Sequence, residues 1–277
     1  MSRRRTAGTA RKKLLTVLGV LGIAAAVASV ASATGSPPAP SISSSPANPT
    51  NATSASFTYT DSAAITKFQC KLDSGSFADC GTTRPSTKTY SGLAAGSHTF
   101  QVKAVSGSET SSATSSTWVI DLSAPTVVSI NRIGGSPTNA GSVQWTVTFN
   151  EAVKGADASD LSLVNGGLGG SPAITGVTPN ASTLSTTFTV TASTGTGSGT
   201  LGLNLVDNDS IVDAAANKLG GTGAGNGNFT GLAYTIDRAA PAAPGIGPVP
   251  AASPAWTTST TVNFTFTGEA GATFRRA

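Results

Sequence analysis

Apolar residues recur at every second position in short runs along this chain, and a period of two is the mark of strands with one buried face. Residues 54–60 (SASFTYT) set Phe57 and Tyr59 among small polar neighbours, and 67–72 (KFQCKL) put Phe68, Cys70 and Leu72 on one face. In 97–105 (SHTFQVKAV) Phe100 and Val102 share a face, as do Trp118 and Ile120 in 116–121 (STWVID). A second set follows at 126–133, 142–150, 183–192, 199–206 and 231–237. It is clearest in 142–150 (SVQWTVTFN), where Val143, Trp145, Val147 and Phe149 all point one way. Short strands separated by Gly and Ser turns predict β-sandwiches. The Gly- and Asn-rich stretch between Asn208 and Phe229 is too long for a tight hairpin and predicts an extended loop.

Two junctions repeat. Ile120-Asp121-Leu122-Ser123-Ala124-Pro125 matches Ile236-Asp237-Arg238-Ala239-Ala240-Pro241, so a final strand stops twice in the same way and Pro prevents its continuation. The expected organisation is a Pro/Ser-rich linker at 34–50, one domain at 51–122, a second at 123–237, and a linker with the start of a third at 238–277. In that third unit Phe264-Thr265-Phe266-Thr267 repeats Phe57-Thr58-Tyr59-Thr60, and Phe274 falls near where Phe68 would. Two strands bury too little to be stable alone. Residues 242–277 are therefore expected to be poorly ordered, and the chain to be a piece of a longer repeat protein.

The N-terminus changes the charge balance. Arg3, Arg4, Arg5, Arg11, Lys12 and Lys13 precede an apolar run from 14 to 30 that closes on Ala31-Ser32-Ala33, the small-x-small pattern a signal peptidase accepts. Residues 1–33 read as a signal peptide cleaved after Ala33; the alternative is an uncleaved signal anchor. Either way the remainder lies outside the cytoplasm, and no later run is long and apolar enough to span a membrane. Removal of 1–33 leaves eleven basic against thirteen acidic residues, a net charge of −2. The basic balance of the whole chain thus belongs to its leader, and nucleic acid is not expected as a partner. Richness in Ser, Thr, Gly, Ala and Val, with only 11% charged residues, also disfavours helices.

F-x-Y at 57–59, F-Q-C-K-L-D at 68–73, Cys80, L-A-A-G-S-H-T-F-Q-V-K-A at 93–104 and T-W-V-I-D at 117–121 resemble the bacterial immunoglobulin-like repeats of large actinobacterial surface proteins. Ser74 stands where that family often has Gly. The second unit, with W-T-V-T-F-N-E-A-V-K-G at 145–155 and I-V-D-A-A-A-N-K-L at 211–219, resembles a companion repeat of such arrays. The resemblance implies tandem immunoglobulin-like β-sandwich domains, an all-β fold, and a secreted or cell-surface location with an adhesive role; it assigns no ligand.

Candidate chemistry is sparse. Cys70 and Cys80 are the only cysteines and sit in an exported chain, so a disulfide across a hairpin is expected, two free buried thiols being the alternative. His98 is the sole histidine and shares a strand face with Phe100, which reads as a partly buried strand residue. One histidine, no G-x-S-x-G, no C-x-x-C, no H-E-x-x-H and no P-loop point away from an enzyme. Asp207, Asp209 and Asp213, with Asn208 and Asn217, form the sharpest acidic cluster. They are the candidate ligands for calcium, the one cofactor considered, although Val212 and Lys218 stand where a twelve-residue calcium loop needs Gly and Glu. The competing reading is Asx turns capping a short helical turn at 214–216. Asp121 and Asp237 at the junctions are weaker linker-ion candidates. The leading expectation is a structural spacer or adhesion module facing an extracellular protein or glycan. The alternative is a carbohydrate-binding or accessory module of a larger secreted enzyme, which would need exposed aromatic rings.

Overall fold

A computed structural model describes residues 35–246, 266–268 and 273. Eighteen strands are described among them: β1 (Ser41–Ser44), β2 (Ala55–Thr60), β3 (Lys67–Leu72), β4 (Ala78–Gly81), β5 (Ser86–Tyr90), β6 (Gly96–Ser106), β7 (Glu109–Thr110), β8 (Thr114–Ile120), β9 (Val127–Ile133), β10 (Ser142–Val153), β11 (Leu161–Gly166), β12 (Ile174–Thr178), β13 (Ser185–Ser193), β14 (Gly199–Leu205), β15 (Phe229–Thr230), β16 (Tyr234–Ile236), β17 (Gly245–Ile246) and β18 (Phe266–Thr267). The described helical structure is one 3₁₀ turn, Ala158–Asp160. No described helix is long and apolar enough to cross a membrane. The expected signal peptide at 1–33 lies outside the described residues.

The strands form two tandem immunoglobulin-like sandwiches. In the first, a sheet of order β1-β2-β5 faces one of order β4-β3-β6, with β7 and β8 pairing β6. In the second, β12-β13-β10-β9 faces β11-β14, with β15 and β16 pairing β14. The units differ in the strand before the fifth: β12 lies on the edge of the sheet that holds β10, whereas β4 lies on the opposite sheet beside β3. Cys70 and Cys80 form a disulfide that therefore ties β3 to its neighbour β4 within one sheet. The Tyr59 hydroxyl, on the facing sheet, donates to the Cys80 carbonyl at 2.9 Å and joins that hairpin to the core. Burial and the neighbouring Tyr90 push its pKa up to about 12, so it remains a donor at any ordinary pH.

Each sandwich has its own core, because alternation sends one face of every long strand inward. Phe57, Tyr59, Phe68, Phe100 and Trp118 fill the first, with Phe57 stacked on Phe100 at 4.2 Å. Trp145, Val147 and Phe149 of β10 meet Phe188 and Val190 of β13, Leu201 and Leu203 of β14, and Tyr234 of β16 in the second. Fully burying one such side chain contributes roughly 1.5–3 kcal/mol. The first unit also begins earlier than expected. The stretch read as a linker at 34–50 contains β1, which pairs β2, and Thr50, which bridges Ile120.

Little is described of 242–277, and the expectation that this stretch is poorly ordered lies largely outside the described residues. What is described is a pairing of β17 with β18, Gly245 opposite Thr267 and Ile246 opposite Phe266. That is the register of Ser41 opposite Thr60 and Ile42 opposite Tyr59 in the first sandwich, as the repeat of F-T-F-T on F-T-Y-T requires.

His98 lies on the inward-facing side of β6, as its alternation with Phe100 implies, and its ring sits 5.4 Å from Trp118. One ring nitrogen is 2.9 Å from the Ala94 carbonyl and the other 2.9 Å from Asp73. Those two contacts, Ala94 first, hold its pKa above the ordinary histidine value. Burial pushes Asp73 up, but hydrogen bonds from His98 and the Thr99 amide outweigh it and leave the carboxyl below its ordinary value. A raised folded-state pKa adds stability that is complete below about pH 6.5 and is lost as pH rises through the folded value. The lowered Asp73 works in the opposite sense, its share disappearing as pH falls through the carboxylate range. Urea midpoints of the first sandwich are thus expected to drop from pH 6 to pH 8.5, and His98→Gln to flatten that drop. An unchanged slope in the variant would place the pH dependence elsewhere.

Candidate functional site at the interdomain junction

The functional geometry of this chain gathers where β8 ends and β9 begins. Thr50 fixes the end of the first sandwich: its amide donates to the Val119 carbonyl and its own carbonyl accepts from the Asp121 amide, both at 3.0 Å. That holds Asn51 at the pole, facing the second sandwich. Its backbone amide donates to the Ala215 carbonyl at 3.1 Å, and its side-chain amide donates to the Ala216 carbonyl at 2.9 Å. From the other side, Asn217 Nδ2 donates to the Asp121 carbonyl at 2.9 Å. Three hydrogen bonds thus join the domains across the Leu122–Pro125 linker.

The loop that accepts Asn51 is closed by Asp213, which reaches the residue four positions on and not two as the expected Asx turn would. Asp213 accepts from the amide of Asn217 at 2.8 Å and from its side chain at 2.9 Å, and Val212 bridges Lys218. The result is a narrow turn through 214–216 in place of the expected helical turn. Ala216 takes φ +71°, a left-handed conformation that costs an L-residue about 1–2 kcal/mol. Asp213 and Ala215 beside it are buried, and Leu219 packs into the second core, which fixes the turn in place.

The acidic residues singled out from sequence are not gathered round one point. Asp207 is buried and accepts from the amides of Asp209 and Gly227. Asp209 pairs with Lys218 at 2.9 Å and accepts from Gly223; Lys218 is the main reason its carboxyl lies below the ordinary value. Among the described residues the group of three acidic side chains whose oxygens all lie within 4.8 Å of one another is instead Asp121, Glu151 and Asp213, one directly after β8, one from the end of β10 and one from the loop. Burial raises the pKa of Glu151, and the charges of Asp213 and Asp121 raise it further. Three carboxylates are a hard-oxygen set of the kind calcium takes, but fewer than the six to eight oxygens it needs, and both Asp213 oxygens already accept from Asn217.

Sequence reasoning missed Asn51, Glu151 and the roles of Ala215 and Ala216. One signal was available. Pro49-Thr50-Asn51-Ala52 recurs as Pro137-Thr138-Asn139-Ala140, with the same backbone bonds: Thr138 donates to Thr235, and Asp237 donates to Thr138. Nothing in the local pattern marked Glu151, whose role depends on the second sandwich bringing β10 against the linker.

No known protein family and no curated protein matches this chain. Solved structures with a general likeness include the FN1–FN3 domains of chicken CNTN1, 11% identical over 73% of this chain and 67% of that one with a TM-score of 0.26. The D00–D0 domain of intimin is 12% identical over 72% of this chain and 98% of that one, TM-score 0.27. A Bacteroides ovatus mixed-linkage glucan utilization locus protein, SGBP-B, solved with a mixed-linkage heptasaccharide, is 14% identical over 72% of this chain and 48% of its own length, TM-score 0.24. Similarity this low carries no argument about what this chain does, and the sandwich assignment rests on the sheets themselves.

Proposed function

We propose that this chain is a non-catalytic, exported immunoglobulin-like spacer or adhesion module, which holds a binding part away from the cell surface and meets an extracellular protein or glycan. The observation that carries the reading is the junction, where Asn51 and Asn217 clasp two sandwiches end to end. A spacer needs its units held in a fixed line, and a hydrogen-bonded pole supplies that more firmly than a bare linker. The carbohydrate-binding alternative gains no support from the tryptophans: Trp118 and Trp145 are buried in the cores, and Trp256 lies outside the described residues. Antibodies raised against residues 35–241 should label intact source cells or the culture fluid. Labelling that appears only after the cells are opened would overturn the reading.

A further inference from the structure

The far pole of the second sandwich repeats the near one. Pro137, Thr138, Asn139 and Asp237 stand as Pro49, Thr50, Asn51 and Asp121 do. The Thr138 amide bonds to the penultimate residue of β16, its carbonyl accepts from Asp237, and Thr138 Oγ1 accepts from the Ala140 amide as Thr50 Oγ1 does from Ala52. Asp237 and Asp121 each accept the amide two residues on, from Ala239 and Ser123.

The two poles differ in one respect. At the first, the Asn51 amide, the Asn51 side chain and the Asp121 carbonyl are all engaged by the second sandwich. At the far pole, the Asn139 amide, its exposed side chain and the Asp237 carbonyl have no partner among the described residues, and an open hollow is lined by these residues with Pro137 and Thr138. Arg238 replaces Leu122 but does not cover the hollow: its guanidinium is held by Gly197, Ala140 and Thr194 of its own sandwich.

We infer that this pole is a second docking face, built to seat another immunoglobulin-like unit whose first pole carries a turn like Asp213–Asn217. Its chemistry is a three-point match. The two Asn139 donors take two consecutive backbone carbonyls, and the Asp237 carbonyl takes a side-chain amide. The occupant follows from continuity with the junction already occupied: the same donors and acceptor, on the same strand end, already hold such a turn. The inference deepens the spacer reading and rests on it for its purpose, since an array can repeat the second kind of unit only if one can seat another; the stretch after Pro241 in this chain repeats the first kind instead.

The test inserts a second copy of residues 126–241 between Pro241 and Ala242, which reproduces the spacing from Asp121 to Thr126 and keeps the rest of the chain. Spin labels on exposed Val164 and on the matching residue of the inserted copy report the distance between the two units. The expected result is one narrow distance distribution that is lost in Asn139→Ala and in the near-isosteric Asn139→Asp. Asn51→Ala should broaden the distribution at the first junction, read between labels on Val119 and Val164, in the same way. A broad distribution in the unsubstituted chain would overturn the inference, as would a narrow one that survives both Asn139 variants. The spacer reading stands or falls separately, on surface labelling of the native chain.

Discussion

Trp145→Ala is expected to destabilise the second sandwich by about 3–5 kcal/mol, the usual cost of removing a large aromatic ring from a closed core. Trp145 is fully buried, meets Tyr234 edge to face at 5.2 Å, and donates its indole N–H to the Leu232 carbonyl at 2.7 Å. Alanine would therefore remove a ring and a hydrogen bond together. Trp145→Phe separates them: it keeps most of the apolar contact and leaves Leu232 without its donor, for a smaller loss of roughly 1–3 kcal/mol. Urea unfolding followed by tyrosine fluorescence and far-ultraviolet circular dichroism would show the order native, Phe, Ala. Equal midpoints for all three would mean that β10 does not carry the core as described.

The second large effect lies in the first sandwich. Replacing both Cys70 and Cys80 by serine should cost about 2–3 kcal/mol of its stability on the chain-entropy account, because the closed loop is short. The loss should stay local, since β3 and β4 belong to the first core and share no side chain with the second. Each core holds one tryptophan, so in a Trp256→Phe background Trp118 reports the first unit and Trp145 the second. The Trp118 transition should move to lower urea in the serine variant while the Trp145 transition stays. A joint shift would show that the two sandwiches unfold as one, and no shift would show that the disulfide contributes little.

The strands visible in sequence were those with apolar residues at consecutive inward positions, such as β2, β3 and β10. Three of those that were not visible lack that signal, each in its own way. β5 faces inward with Ser86, Lys88 and Tyr90, so its period carries only one large apolar residue; β12 is short and interrupted by Gly176; β1 hides among prolines that resemble a linker. The disulfide and the Asx turns at Asp207 and Asn208 could be read because they depend on near neighbours. The junction could not, because Asn51 meets Ala216 across 165 residues and Glu151 reaches Asp121 only once β10 is folded. Asp207, Asp209 and Asp213 are close along the chain, but folding distributes them among separate donors and brings Asp121 and Glu151 to Asp213 instead.

The central claim is that the two sandwiches form one stiff body through the Asn51 and Asn217 clasp, and backbone ¹⁵N relaxation on the mature chain tests it most directly. A single anisotropic tumbling tensor shared by β2–β8 and β9–β16, lost in an Asn51→Ala/Asn217→Ala double variant that keeps both folds, is the expected result. Two independent correlation times in the unsubstituted protein, each suited to one sandwich alone, would contradict the account.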